Sequence, residues 1–245
     1  MLKRLLVLVL LGPVLLLAQA QAAEPAGKLT AETIIKRTLE SRLSGVKIDA
    51  VAKTPYLGLY EVRMGNEILY TDEKMAYIFS GNVIDAKSMQ NLTEKRLQEL
   101  SAIKWDELPL ASAFKTVRGN GKRVLAVFSD PNCPYCKRFE KDLAKVDDIT
   151  IYTFLYPILS QDSNDKAKAI WCSPDKSKAW SALMLNATAP APANCSETPI
   201  EKNLELGHKY RINGTPTIIF ASGERVPGAI TAEQVERQFA QSANK

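Results

Sequence analysis

The segment 30–43 carries apolar residues at the spacing of one helix face, which predicts an amphipathic helix that Thr30 can cap. Its apolar positions are Ile34, Ile35, Leu39 and Leu43. The stretch that follows has strand-like apolar runs, and Gly65-Asn66 predicts a hairpin turn. These runs lie at 46–51, 56–64, 67–70 and 77–79, and residues 82–85 are expected to complete a small sheet. Such a small unit buries little core, and oligomerisation is an ordinary way to stabilise it.

The segment 92–103 is strongly helical and charged, with a narrow apolar stripe that includes Leu92, Leu100 and Ile103. This helix either packs on its own domain or connects two domains, and the pattern leaves both alternatives open. Pro109 interrupts it, and a second helical stretch is expected over 110–116 before a turn at 118–121.

The remainder of the chain alternates between strand-like and helix-like segments, which predicts an α/β domain. The expected strands are 124–128, 149–155 and 217–220. The expected helical regions are 137–146, 165–185, 198–210 and 231–241.

Residues 1–23 have the three-part pattern of a secretory signal peptide. Lys3 and Arg4 form a basic head, residues 5–17 are almost wholly apolar, and small residues allow cleavage after Ala20, Ala22 or Ala23. A membrane anchor is the alternative, but the apolar run is shorter than the ~20 residues that a spanning helix needs. We therefore expect the mature protein in an oxidising compartment, where disulfides persist.

Charge and histidine content exclude several functions. The formal charge of +5 includes Lys3 and Arg4, and the other charges of both signs are interspersed, so nucleic-acid binding is not expected. His208 is the single histidine, which excludes a multi-histidine metal site. It falls at a predicted helix end, where we expect an exposed residue without a catalytic role.

The motif Cys133-Pro134-Tyr135-Cys136 lies between a predicted strand and a predicted helix. Cys133 is thereby placed at a helix N-terminus, where free N–H groups and the helix dipole favour a thiolate. Cys136 lies one helical turn on, within disulfide reach. Half a zinc site has the same spacing, but the strand-to-helix junction favours redox chemistry.

Cys172 and Cys195 form the second pair of cysteines. A zinc site built from all four cysteines is one alternative, although this pair lacks the close spacing of a second CxxC. A structural disulfide is favoured, because it would tie down the Ala- and Pro-rich loop 187–192.

The second half of the chain resembles thioredoxin in the CxxC loop, in Thr215-Pro216 before a strand, and in the turn 221–223. More broadly, nearly all of the mature chain resembles the periplasmic disulfide isomerases of the DsbC family, to which DsbG is closely related. The further segments that carry the resemblance are 70–73, 128–130, 169–172, 213–216 and 226–228.

The resemblance implies an α+β protein in which a small cystatin-like dimerisation domain and a helical linker precede a thioredoxin-like α/β catalytic domain. The implied boundaries are 1–23 for the signal peptide, 24–86 for the first domain, 87–118 for the linker and 119–245 for the catalytic domain. Two chains would pair through their first domains into a V-shaped homodimer. Its cleft would hold unfolded substrates in the periplasm.

The resemblance also assigns roles at the site. Cys133 is the expected nucleophile, Cys136 resolves its mixed disulfides, and Pro134 and Tyr135 complete the redox loop. Thr215, before a cis Pro216, would bind substrate backbone, although a trans proline in an ordinary turn is the alternative. No metal or cofactor is expected. A membrane electron donor of the DsbD type would keep the pair reduced.

Two departures bear on the activity. Pro134 stands where the typical isomerase of the family has glycine, as in DsbG, and Val127 stands where thioredoxin has a buried carboxylate. We expect a disulfide isomerase and reductase of secreted proteins. The alternatives are a DsbG-like reductase of oxidised single cysteines and a holding chaperone with secondary redox activity.

Overall fold

Two main sheets organise the part of the chain that the computed structural model describes, residues 29–193 and 195–243. The predicted signal peptide lies outside the described residues. No helix in the described ranges is long and apolar enough to cross a membrane. The expected α+β class is confirmed, since a helix-and-hairpin unit precedes an α/β unit.

The first sheet is antiparallel throughout and has the strand order β1-β2-β3-β4. Its strands are β1 (Ala50–Lys53), β2 (Tyr60–Met64), β3 (Glu67–Thr71) and β4 (Ile78–Ser80). Helix α1 (Ala31–Arg42) packs on this sheet through buried Ile35 and Leu39. Thr30 is its N-cap, and its hydroxyl accepts a hydrogen bond from the N–H of Thr33.

The expectation that residues 82–85 complete this sheet was wrong. After β4, Gly81 adopts a φ of +141°, a conformation that few residues other than glycine reach, and the chain turns away. Strand β5 (Ile84–Asp85) pairs instead with β6 (Gln90–Asn91) in a separate hairpin. The Asp85 carboxylate accepts the N–H groups of the hairpin turn, which fixes it locally.

Helix α2 (Leu92–Ser101) is attached to the first domain but leads into the second. The hydroxyls of its buried Thr93 and of Tyr70 lie 2.7 Å apart, and Arg96 forms an ion pair with Glu61 at 3.0 Å. Ile103, just beyond the helix, is buried in the second domain and donates its N–H to the Gly223 carbonyl. The segment therefore both packs on its own domain and connects the two domains.

The segment 110–116 is not the predicted helix. A single 3₁₀ turn, Leu110–Ser112, is followed by strand β7 (Phe114–Arg118), where the β-branched Thr116 and Val117 favour an extended chain. Strand β7 pairs antiparallel with β9 (Ile149–Leu155). Residues 114–118, which the prediction assigned to the linker, therefore belong to the same sheet as β9.

The second sheet has the order β11-β10-β8-β9-β7, in which only β8 and β9 run parallel. Its remaining strands are β8 (Arg123–Ser129), β10 (Thr217–Phe220) and β11 (Arg225–Pro227). The helices of this domain are α3 (Pro134–Leu143), α4 (Gln161–Cys172), α5 (Lys176–Asn186), α6 (Ile200–Lys209) and α7 (Ala232–Ala243). The predicted helical region 165–185 is thus two helices, because Pro174 cannot continue α4.

Strand β8 is buried on both faces of the sheet. Leu125 and Val127 pack into the core beneath α3 and α7, whereas Ala126 and Phe128 face the opposite core with Tyr156. This double burial fixes the register of the strand, since a shift by one residue would exchange the two sets. The position of the CxxC loop, which follows the carboxyl end of β8, is therefore fixed by the packing of this strand.

A disulfide joins Cys172, the last residue of α4, to Cys195 in the loop before α6, with 5.4 Å between the two Cα atoms. In the chain-entropy model, a closed loop of this length stabilises the folded state by about 3 kcal/mol.

We predict that the free energy of unfolding of the Cys172→Ser, Cys195→Ser double variant is about 3 kcal/mol lower than that of the wild type. Chemical denaturation followed by circular dichroism measures this loss, and thiol titration at neutral pH checks that Cys133 still reacts. A variant that is as stable as the wild type, or that loses the reactive thiol, would contradict a purely structural role for this bond.

Candidate active site

The CxxC loop lies at the N-terminus of α3, shortly after the end of β8. Cys133 is the N-cap of the helix, and its Sγ accepts a hydrogen bond from the Cys136 N–H at 3.4 Å. Pro134 takes the first helical position, where its missing N–H costs nothing. The helix thus begins three residues earlier than predicted, and the expected helix-terminal place of Cys133 agrees with the structure.

The surroundings of Cys133 favour its thiolate. Its pKa is lowered to about 5, chiefly by the hydrogen bond with the Cys136 side chain, which outweighs burial. The Thr215 side chain and the N–H groups of Cys136 and Tyr135 lower it further. Cys133 is therefore an anion at neutral pH, the form of cysteine that acts as a nucleophile.

Cys136 has the opposite character. It is fully buried, and burial raises its pKa far above the ordinary value, with the neighbouring Cys133 raising it further. The Ser129 hydroxyl and the Asp130 N–H act against this increase without overcoming it. The site therefore holds one reactive thiolate beside one protonated, shielded thiol.

The Thr215–Pro216 segment lies beside Cys133. The Thr215–Pro216 peptide bond is cis, in agreement with the expectation from the sequence. The Cys133 Sγ lies 3.2 Å from the Thr215 carbonyl oxygen, to which it donates when the thiol is protonated. Thr215 is half-buried and Pro216 is buried, so Thr215 presents the accessible edge of this loop.

Asp130 is a site residue to which the sequence analysis gave no role. Its fully buried carboxylate accepts the N–H of Asn132 at 2.8 Å, the N–H of Leu159 at 3.0 Å and the hydroxyl of Ser163 at 2.8 Å. Its carbonyl accepts the N–H of Cys133. The Asp-Pro-Asn triplet before Cys133 was a visible turn signal, but its distant partners on α4 were not.

Glu140 is a second residue that the sequence did not reveal. It lies one turn after Cys136 on α3, is buried, and accepts a hydrogen bond from the Trp180 indole at 2.8 Å. Burial raises the pKa of this carboxyl, against the opposing effects of Trp180 and Arg118. Its helical position on the buried face of α3 was the only sequence signal.

Exposed apolar side chains stand next to the cysteines. Tyr135 is 59% exposed and Leu159 is 54% exposed, and Ile158 precedes Leu159 in the loop that Asp130 holds. His208 is exposed in the last turn of α6, as expected from the sequence. The surface near Cys133 therefore includes exposed apolar side chains.

Two family models match the chain. The model of the thioredoxin-like domain covers residues 110–243, and the model of the disulfide bond isomerase N-terminal domain covers residues 17–94. The start of the first match at residue 110 agrees with the inclusion of β7 in the second domain.

Curated relatives and solved structures agree with these matches. The chain is 44% identical over 220 residues to a probable thiol:disulfide interchange protein DsbC of Bordetella parapertussis, covering 90% of this chain and 76% of that protein. It is 28% identical over 204 residues to the thiol:disulfide interchange protein DsbC of Escherichia coli K12, covering 80% of this chain and 82% of that protein. The crystal structure of a disulfide interchange protein from Neisseria gonorrhoeae is 39% identical with a TM-score of 0.53, covering 55% of this chain and 98% of that one. The chain belongs to the DsbC family of thiol:disulfide interchange proteins and is a thiol–disulfide oxidoreductase with a thioredoxin-like domain.

Proposed function

We propose that this protein isomerises non-native disulfides of secreted proteins in the periplasm, with Cys133 as the nucleophile. The observation that supports this most strongly is the contrast between the two cysteines. The lowered pKa of Cys133 keeps a thiolate available, and the raised pKa of buried Cys136 slows its own attack on a bound substrate. A mixed disulfide then lasts long enough for the substrate to rearrange.

The isomerisation begins when the Cys133 thiolate attacks one sulfur of a substrate disulfide. A bond forms between Cys133 and that sulfur, the substrate bond breaks, and the other sulfur leaves as a thiolate. That thiolate attacks a second disulfide of the substrate and releases a second substrate thiolate. The second thiolate attacks the substrate sulfur that is bound to Cys133, a new substrate disulfide forms, and Cys133 leaves as a thiolate. The substrate leaves with a different pairing, and no electrons have been transferred in total.

The reductive branch uses Cys136. When the substrate does not rearrange, the Cys136 thiol loses its proton and attacks the Cys133 sulfur, which forms the Cys133–Cys136 disulfide. The substrate leaves with both its cysteines reduced, so two electrons have passed from the protein to the substrate. A membrane electron donor of the DsbD type would have to return these two electrons.

Substrate docking is assigned to the Thr215 loop and the apolar side chains around it. The Thr215 N–H meets no acceptor within the described residues, and an extended peptide chain offers a carbonyl to such a group as a strand edge does. The exposed Tyr135 and Leu159 would receive apolar side chains of an unfolded substrate. This arrangement binds backbone and apolar surface, so it accepts many sequences.

Pairing of two copies through the first domain is the proposed origin of the homodimer. Strand β4 is the edge of its sheet, and it exposes Ile78 and Phe79 beside Tyr77, which is 70% exposed. A sheet edge with exposed apolar residues is a template for another strand. A second copy would cover this edge and place two Cys133 thiolates around one substrate.

A DsbG-like reductase of oxidised single cysteines is the second candidate, and Pro134 favours it. Two rates separate this reductase from the proposed isomerase: the rate at which scrambled ribonuclease is reshuffled and the rate at which a sulfenylated protein is reduced. Faster turnover of the sulfenylated protein would replace the proposed isomerase with this alternative.

The lowered pKa of Cys133 predicts a specific pH profile for alkylation. The rate of Cys133 labelling by iodoacetamide should rise through pH 5 and reach a plateau near pH 7, because the thiolate fraction is then complete. An unfolded cysteine, with a pKa of about 8.5, should label only at higher pH. Mass spectrometry of digests locates the label, and labelling of Cys136 before Cys133 would contradict the assigned roles.

A further inference from the structure

The segment 210–216 is held by side chains outside the CxxC motif. This segment leads from the end of α6 to Thr215 and Pro216, and three consecutive carbonyls in it accept side-chain hydrogen bonds. Arg225 donates to the carbonyls of Tyr210 at 2.7 Å and Arg211 at 2.9 Å. The Tyr156 hydroxyl donates to the carbonyl of Ile212 at 2.9 Å.

Tyr156 connects this segment to the end of β8, which leads into the CxxC loop. Its backbone N–H donates to the Ser129 carbonyl at the end of β8 at 2.9 Å, and its buried ring packs edge-on against Phe128. The ring also lies against Gly207 on α6, where any Cβ would overlap it. Tyr156 therefore contacts both the end of β8 and the segment 210–216, and the packing around its ring holds it in place.

Arg225 fixes the segment from the other side. It lies on β11 opposite Ile219 of β10, half-buried, and its two guanidinium nitrogens reach two successive carbonyls. Between those carbonyls Arg211 has a φ of +52°, a left-handed conformation that persists only where its surroundings impose it. The planar fork of arginine is suited to such a pair of acceptors.

We propose that Tyr156 and Arg225 are positioning residues. By holding the backbone that leads to Thr215, they fix the position of Thr215 beside Cys133 and thereby determine the affinity for polypeptide substrates. We call the two side chains the carbonyl clamp. This inference rests on the proposed docking of substrate backbone at Thr215. Neither residue touches the reacting sulfurs, so the clamp should act on binding more than on the exchange step.

The test compares two disulfides that react with Cys133. One is a short extended peptide whose single cysteine forms a mixed disulfide with glutathione, and the other is hydroxyethyl disulfide, which has no backbone to dock. The wild type should prefer the peptide. In Tyr156→Phe the ratio of the two second-order rates should fall about three- to tenfold, the effect of one lost hydrogen bond. Arg225→Lys should lower it similarly.

Tyr152→Phe is the matched control. Tyr152 lies on β9, which ends directly before Tyr156, and its hydroxyl makes no hydrogen bond among the described residues. Its rate ratio should equal that of the wild type. A general loss of structure lowers both rates together. An unchanged ratio in Tyr156→Phe, or an equal fall in the control, would therefore overturn the clamp.

A second readout does not depend on peptide docking. Because Thr215 contributes to the pKa of Cys133, displacement of Thr215 in Tyr156→Phe should shift the midpoint of the alkylation profile. If the wild type shows no preference for the peptide, docking at Thr215 is wrong, and this midpoint alone tests the clamp. An unshifted midpoint in Tyr156→Phe would contradict it.

Discussion

Replacing Cys133 with serine is expected to abolish both the reduction of insulin and the reshuffling of scrambled ribonuclease. The other free cysteine, Cys136, is fully buried and its pKa is raised, so it cannot replace the lost nucleophile. Serine is close in size to cysteine, and its hydroxyl oxygen can replace the Cys133 sulfur as the N-cap acceptor of α3, so the fold should remain. Insulin turbidity and recovered ribonuclease activity measure the two losses.

Cys136→Ser is the matched control for this variant. It should retain part of the reshuffling, because a substrate thiol can still release Cys133. It should also accumulate mixed disulfides with substrate, which non-reducing electrophoresis detects. If Cys133→Ser traps substrate and Cys136→Ser does not, the roles of the two cysteines are reversed.

The Ile78→Lys, Phe79→Lys double variant is expected to be a monomer that reduces small disulfides normally but loses most of its reshuffling activity. Lysines on the β4 edge oppose pairing with a second strand. A monomer holds one thiolate per substrate, so the second thiolate no longer acts at the ~mM effective concentration that a linked pair provides. Light scattering measures the mass, and the hydroxyethyl disulfide and ribonuclease assays measure the activities.

A control at a distant exposed apolar position separates pairing from a general effect of charge. Val117→Lys introduces a lysine at an exposed site on β7, in the other domain, and should leave the mass and reshuffling unaltered. A double variant that stays dimeric places the dimer interface elsewhere. A monomer that reshuffles as well as the wild type shows that the first domain serves another purpose, such as holding unfolded chains.

The sequence predicted the parts of the site that depend on local patterns. The helix-terminal place of Cys133 follows from a buried strand, a turn and a helix in direct succession. Thr30 as a cap and the Gly65-Asn66 turn were likewise predictable, because their hydrogen bonds and backbone angles involve near neighbours. The cis proline came from the resemblance and not from the local residues.

The errors and omissions share a different cause. Strand β7 was taken for a helix because its identity depends on pairing with β9, more than 30 residues later along the chain. Asp130, Glu140, Tyr156 and Arg225 were missed because their partners lie on other elements. A buried carboxylate or a tyrosine has no distinctive local pattern until the fold brings its partner close.

The central claim is that the Cys133 thiolate reshuffles disulfides without net transfer of electrons. The most direct test incubates scrambled ribonuclease with a small amount of the reduced protein and no other redox agent. It follows ribonuclease activity together with the free thiols of each of the two proteins. We predict many native ribonuclease molecules per active site while Cys133 and Cys136 stay reduced and the number of thiols on the ribonuclease does not rise. Recovery of at most one molecule per site, with thiols passing from Cys133 and Cys136 to the ribonuclease, would contradict the claim and identify a reductase.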